Sequence, residues 1–172
     1  MPTISTAECF THGKVANELH AFARGYPHEY LFSIDRKKVD ISVVAGMFIP
    51  TLTGVRTLLH FEPLEPRLVI DTVKVYEQDQ DCIMACRMAE AVMRVTGADI
   101  GIGTTAGIGK GAVAIASQDK IYSKVTRIDA DFRTSDAKKL MQREKSGVFT
   151  ALRLFEEFLL EGEFPDSYNK YI

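Results

Sequence analysis

The chain has 172 residues, 46% of them hydrophobic and 26% charged, with 21 basic and 23 acidic side chains. This balance excludes a disordered chain, and a net charge of −2 gives no electrostatic footprint for duplex nucleic acid. No apolar run approaches ~18 residues, so no membrane-spanning helix is expected. The segment Met1-Pro2-Thr3-Ile4 lacks the basic and apolar regions of a signal peptide. Three cysteines, an odd number, suit a reducing cytoplasm rather than a disulfide framework. Cytoplasmic location is therefore expected.

Thr3 to Thr6 is a short β-prone start. Gly13 to Arg24 reads as a helix whose apolar face is Val15, Ala16, Leu19, Phe22 and Ala23, ended by Gly25 and Pro27. Val39 to Ala45 is a β-branched run that predicts a buried strand. Thr51 to Phe61 allows one short helix. Two prolines in Phe61–Pro66 mark a connection. Leu68 to Tyr76 predicts one further strand, and Asp81 to Thr96 a helix closed by Gly97.

Ile100 and Ile102 open a strand that runs into a glycine-rich loop. Ala112 to Ala116 alternates two β-branched residues with three alanines, which predicts a strand buried on both sides with a helix close on the alanine face. Ile121 to Ile128 is a strand. Ser135 to Glu161 is a helix, with Ser135 as its cap, Gly147 as a possible break, and Gly162 and Pro165 as its stop. The sum is an α/β chain: a single-domain sandwich over 1–172, with a mixed β-sheet and helices on its faces.

Two segments carry candidate chemistry. The loop Gly101 to Gly111 contains Gly103, Thr104, Thr105, Ala106, Gly107, Ile108, Gly109, Lys110 and Gly111. Glycines let backbone N–H groups close around an anion, and the threonines and Lys110 add donors, so a phosphate cradle is expected. A Walker A loop fails because Thr104 and Gly111 stand where Gly and Ser/Thr belong. A Rossmann fingerprint fails because a strand, not a helix, follows. The bland alternative is a tight turn between buried strands. The second segment joins the first strand to the first helix. There Cys9 lies near a helix N-terminus, whose partial positive charge favours an anion. His12 is a candidate base and Thr11 a candidate oxyanion donor. A buried cysteine that only packs is the equal alternative.

Cys82 and Cys86, four apart on a helix, read as core, with no third ligand for a metal; no metal site is expected. Met84, Met88 and Met93 read as packing. Lys138, Lys139, Arg143 and Lys145 alternate with Glu144, Glu156 and Glu157, which predicts a solvated mixed-charge face.

Thr6-Ala7-Glu8-Cys9-Phe10-Thr11-His12-Gly13-Lys14-Val15 and the run Asp99 to Gly111 resemble the archaeal HcgF-type family. Phe48-Ile49-Pro50-Thr51-Leu52-Thr53-Gly54-Val55-Arg56 and Phe61-Glu62-Pro63 resemble the same family. The likeness runs from about Ile4 to the last helix. It implies a part in biosynthesis of the iron-guanylylpyridinol cofactor of [Fe]-hydrogenase in methanogenic archaea. The ligand would be guanylylpyridinol, with no permanently bound cofactor. An E1-like partner protein would adenylate its carboxylate with ATP, and Cys9 would take the acyl group as a thioester. Glu8 and the glycine loop would bind the ligand, with the guanylyl phosphate on the loop and Lys110. A homodimer is expected from the frequency of two-fold oligomers alone.

A more distant likeness is to the C-terminal CinA domain, a nicotinamide mononucleotide amidase, whose nucleophilic serine aligns with Cys9. It implies a CinA C-terminal-like fold. That amidase follows its Val-Val-Ala strand with Tyr and then Lys, whereas Val43-Val44-Ala45 is followed here by Gly46-Met47-Phe48. Three functions therefore stand: a thioester-forming acyl carrier, a pyridine-nucleotide amidohydrolase, and a nucleotide-binding protein without chemistry.

Overall fold

The computed structural model describes residues 1–161. Its elements in chain order are β1 (Thr3–Glu8), α1 (Lys14–Arg24), β2 (Ser42–Phe48), α2 (Leu52–Leu59), β3 (Leu68–Ile70), β4 (Val73–Val75) and α3 (Gln78–Thr96). There follow β5 (Ile100–Thr105), β6 (Ile108–Gly109), β7 (Ala112–Ala116), β8 (Ile121–Val125), β9 (Ala130–Asp131) and α4 (Ala137–Glu161). Five strands form one sheet in the order β2-β1-β5-β7-β8. β1 is parallel to β2 and β5, while β5–β7 and β7–β8 are antiparallel. The expected mixed α/β sheet is present.

Strand alternation sets the two faces. On one, Ile4, Ile100, Ile102, Val113 and Ile115 pack with Val15 and Leu19 of α1 and Leu152 and Phe155 of α4. On the other, Ala112, Ala114 and Ala116 pack with Cys82, Ala85 and Ala89 of α3, as the alanine pattern predicts. Gly101 and Gly103 belong to that face too. A Cβ on Gly103 would lie 2.1 Å from the carbonyl oxygen of Ala85, and one on Gly101 2.0 Å from that of Ala89. These glycines let α3 lie almost on the sheet.

Several boundaries differ from the sequence reading, each for a physical reason. The run Leu68–Tyr76 is a hairpin, not one strand: Leu68 pairs with Val75 and Ile70 with Val73. Asp71 and Thr72 both take left-handed φ, 46° and 74°, as a two-residue turn requires, without the glycine that usually announces it. β2 begins at Ser42 because Arg36–Lys38 form a 3₁₀ turn, with Lys37 N donating to Asp35. It is an edge strand, not a buried one, and Val44 is exposed. β8 ends at Val125, short of Ile128.

Helix α3 starts three residues earlier than expected, where the Glu77 N–H donates to Gln80 Oε1 at 3.2 Å. Asp136 caps α4, accepting from Lys139 N at 2.7 Å, while Ser135 Oγ accepts from Asp131 N. Gly147 does not break α4. A Cβ there would stand 2.3 Å from the Phe10 ring, so the glycine admits the loop after β1. The proposed stop at Gly162 and Pro165 lies outside the described residues.

The mixed-charge face of α4 is partly wrong. Lys138, Lys139 and Lys145 are exposed, but Arg143, Glu144 and Glu156 are buried. Glu156 accepts from Tyr30 Oη, Ser33 and Ile34, tying the segment after α1 to α4.

Gly103→Ala is expected to destabilise the fold by at least ~1–3 kcal/mol, because the obstruction is helix backbone that cannot rotate away. Gly97→Ala meets no atom and suffers only from its left-handed φ of 70°, about 1 kcal/mol. Urea unfolding of the two variants should rank them in that order.

Candidate functional site

The site grows from Glu8, the last residue of β1, which is fully buried. Its Oε1 accepts from Thr6 Oγ1 at 2.8 Å and Ala16 N at 2.9 Å; its Oε2 accepts from Thr11 Oγ1 at 2.6 Å and Val15 N at 3.1 Å. A buried carboxylate is costly unless its lone pairs are filled, and here four donors and the N-terminus of α1 fill them. The five residues between strand and helix must therefore turn sharply. His12 and Gly13 do so in left-handed conformations, φ 53° and 80°.

Cys9 is the first residue of that turn. Its N–H continues the sheet, donating to Thr104 O at 2.9 Å and lying 3.3 Å from Thr104 Oγ1. Its side chain lines a cavity of about 450 Å³ walled by Phe10, Phe48, Pro50, Val73, Phe132, Leu140 and Met141. That volume suits a small-molecule ligand. The cavity lies beyond the carboxyl ends of the parallel strands, where ligands of open α/β sheets gather. Three polar groups enter it: His12, Arg143 and Glu144.

Glu144 Oε1 lies 2.9 Å from His12 Nδ1 and 2.9 Å from Lys14 Nζ. A carboxylate only accepts, so in the neutral ring the proton sits on Nδ1, facing Glu144, and Nε2 carries the lone pair. The His12 ring also meets Phe48 edge-on, centroids 5.2 Å apart. Arg143 is 2% exposed and donates through Nη1 to the carbonyls of Gly107, Gly109 and Ala130. Nε and Nη2 donate to no described residue. Burial pulls its guanidinium below the ordinary value, opposed by the negative charge of Asp81.

Asp81 completes the frame. It is wholly buried and accepts from Gly107 N at 2.9 Å and Thr105 Oγ1 at 3.1 Å. Burial pushes its carboxyl up to about 7, against these two bonds and the charge of Arg143. Asp81 and Arg143 thus grip the two ends of one residue, the N–H and the carbonyl of Gly107.

Of the residues singled out in the sequence, Cys9, His12 and Ala106 meet in the cavity. Glu8 lies behind it with both oxygens committed. Thr11 gives its proton to Glu8 and sits 2.8 Å from Thr104 Oγ1, so it has none for an oxyanion. Gly103 is beneath α3. Thr104 and Thr105 are buried in β5.

The rest of the loop is not an open cradle. The N–H groups of Gly107, Ile108, Lys110 and Gly111 donate to Asp81, Tyr76 O, Gln78 and Gln78 respectively. With those donors spent, Gly109 and its neighbours form a clasped turn. The Lys110 side chain is exposed and does not line the cavity.

Sequence reasoning missed Arg143 and Glu144 because a run of mixed charges along one helix reads as a solvated face. A signal was present: Glu144 continues the inner stripe of Val148 and Leu152, and Arg143 the small-residue stripe of Gly147 and Ala151. A Cβ on Gly46, the residue after Val43-Val44-Ala45, would lie 2.4 Å from Ala16 Cβ, so no side chain fits there. Cys82 and the methionines Met84 and Met88 are core, and the described residues contain no cluster fit to hold a metal ion. Burial pushes the Cys86 thiol up to about 11. Among the described residues no helix is long and apolar enough to cross a membrane.

Residues 1–159 match the family described as "FeGP cofactor biosynthesis protein HcgF". A UPF0254 protein of Methanothermobacter thermautotrophicus strain Winter is 49% identical over 161 residues, 94% of this chain and 98% of that protein. A UPF0254 protein of Methanopyrus kandleri is 40% identical over 180 aligned positions, 99% of this chain and 98% of that one. Among solved structures, the competence damage-inducible protein A of Klebsiella pneumoniae superposes with a TM-score of 0.56 at 16% identity, covering 94% of this chain and 89% of that one. The competence or damage-inducible protein of Enterobacter asburiae gives 0.57 at 14%, covering 92% and 87%. These structural likenesses show that the chain shares its fold with those two proteins. The chain belongs to the HcgF family, and that membership supports a role in FeGP cofactor biosynthesis.

The Asp81 carboxyl, raised from an ordinary 3.8 to about 7, makes a signed prediction. A folded-state value above the unfolded one stabilises the protein at low pH and loses that contribution as pH rises. Stability should therefore fall between about pH 4 and pH 7. Asp81→Asn should flatten this slope, measured as urea midpoints across the range.

Proposed function

We propose that this member of the HcgF family takes the adenylated carboxylate of guanylylpyridinol onto Cys9 as a thioester. The observation that carries the reading is the placement of Cys9 in the wall of an apolar cavity beside His12 and Arg143. The sulfur of Cys9 attacks the carbonyl carbon of the acyl-adenylate. A carbon–sulfur bond forms, and the bond from that carbon to the phosphate oxygen breaks. Adenosine monophosphate leaves with the bonding pair.

The thiol proton passes to His12 Nε2, the ring nitrogen that Glu144 leaves without a proton. Arg143 faces the same space, and its uncommitted Nε and Nη2 suit the negative charge gathering on the leaving phosphate. Phosphate is a good leaving group, so no strong acid is required. The aromatic and aliphatic walls keep water from the product. The closed position at Gly46 argues for retention of the acyl group rather than amide hydrolysis.

The test is the intact mass of the protein after incubation with guanylylpyridinol, ATP and the E1-like adenylating partner. A ligand-sized increase that hydroxylamine removes, and that Cys9→Ala lacks, is expected. An adduct that persists in Cys9→Ala would overturn the assignment, and release of free product without any adduct would favour a hydrolase.

A further inference from the structure

Helix α4 carries a second set of polar groups that the Cys9 chemistry does not use. Ser146, Phe149, Thr150 and Arg153 stand at i, i+3, i+4 and i+7, so they share one face of the helix. Lys124 near the end of β8, and Arg127 just beyond that strand, meet this face across a cavity of about 410 Å³. No residue lines both this cavity and that of Cys9.

The charge of the β8–α4 cavity has one sign. Lys124, Arg127 and Arg153 line it, and no carboxylate does. Glu157 stands behind them, accepting from Lys124 Nζ at 3.3 Å and from Arg153 Nε at 3.0 Å. Glu156 is buried, with its oxygens filled by Tyr30 Oη, Ser33 and Ile34. Three cations against these two acids leave one positive charge in excess, on a chain whose net charge is −2. Arg153 commits only Nε, and the Arg127 guanidinium has no partner among the described residues.

The frame around these groups is fixed. Thr126 N donates to Gly111 O at 3.1 Å, and Arg127 N donates to Ser146 Oγ at 3.3 Å. Ser146 therefore accepts from the backbone and keeps its hydroxyl proton to donate. Two guanidinium forks and a hydroxyl offer more donors than one carboxylate edge can accept. A tetrahedral oxyanion has oxygens for all of them. Tyr30 and Phe149, ring centres 5.4 Å apart and edge to face, supply an aromatic wall beside the cations.

We infer that the β8–α4 cavity is a separate binding site for a phosphate dianion, free or as an ester, held by Arg127, Arg153 and Ser146. It goes beyond the thioester reading and makes no use of Cys9. The test is calorimetric titration with inorganic phosphate, phenyl phosphate and acetate, in low salt at about pH 8, where both phosphates are mostly doubly charged. At least one phosphate is expected to bind with a dissociation constant of about 1 mM or tighter, at least about tenfold more tightly than acetate. Arg127→Gln and Arg153→Gln, both at exposed side chains, are each expected to weaken it about five- to tenfold.

Tighter binding of phenyl phosphate would identify an ester whose organic part meets Tyr30 and Phe149, and equal or weaker binding a free phosphate. Absence of binding by either phosphate, binding that neither arginine variant changes, or acetate bound as tightly would overturn the site.

Discussion

A buried carboxylate at the end of β1 sets the geometry from which the rest follows. Desolvating Glu8 costs several kcal/mol, and only a full set of donors offsets that. Two come from hydroxyls on its own segment, Thr6 and Thr11, and two from the first turn of α1. The helix must therefore begin directly over the strand end. The intervening residues have one way to turn, through left-handed His12 and Gly13, and that turn sends Cys9 and His12 into the same cavity. Glu8 thus acts on the chemistry without touching a ligand.

A second device holds the opposite wall. The small residues of β5 and β7 bring α3 close, and its first turns then deliver Gln78 and Asp81 beneath the loop after β5. Arg143 crosses from α4 to take carbonyls of the same loop. The glycines here serve close approach and turning: a Cβ on Gly107 would lie 2.4 Å from the backbone of Tyr76. The same arrangement leaves the guanidinium facing Cys9's cavity with donors to spare.

The fold was largely legible because hydrophobic period reports it. Alternation in Ala112–Ala116 and the stripe of Val15, Leu19 and Phe22 identified both faces of the sheet. The hairpin at Asp71–Thr72 was not, since its turn lacks the glycine that usually announces positive φ. At the site, Cys9 and His12 were legible from spacing and from family words. Arg143 and Glu144 were hidden because burial of a charge depends on partners distant in sequence: carbonyls 13 to 36 residues away for Arg143, and His12 for Glu144. The glycine loop misled for the converse reason. Its sequence announces free N–H groups, and only the structure tells which side chains have taken them.

The account stands on the link from Glu8 to Cys9. Its most direct test is the rate of acyl adduct formation in Glu8→Gln, taken where circular dichroism reports the variant folded. An amide in place of the carboxylate turns one acceptor into a donor against groups that are themselves donors. The turn should loosen, and because small misplacements of reacting groups are costly, the rate should fall at least about tenfold. An unchanged rate in the folded variant would show that Cys9 is placed by something other than the buried carboxylate.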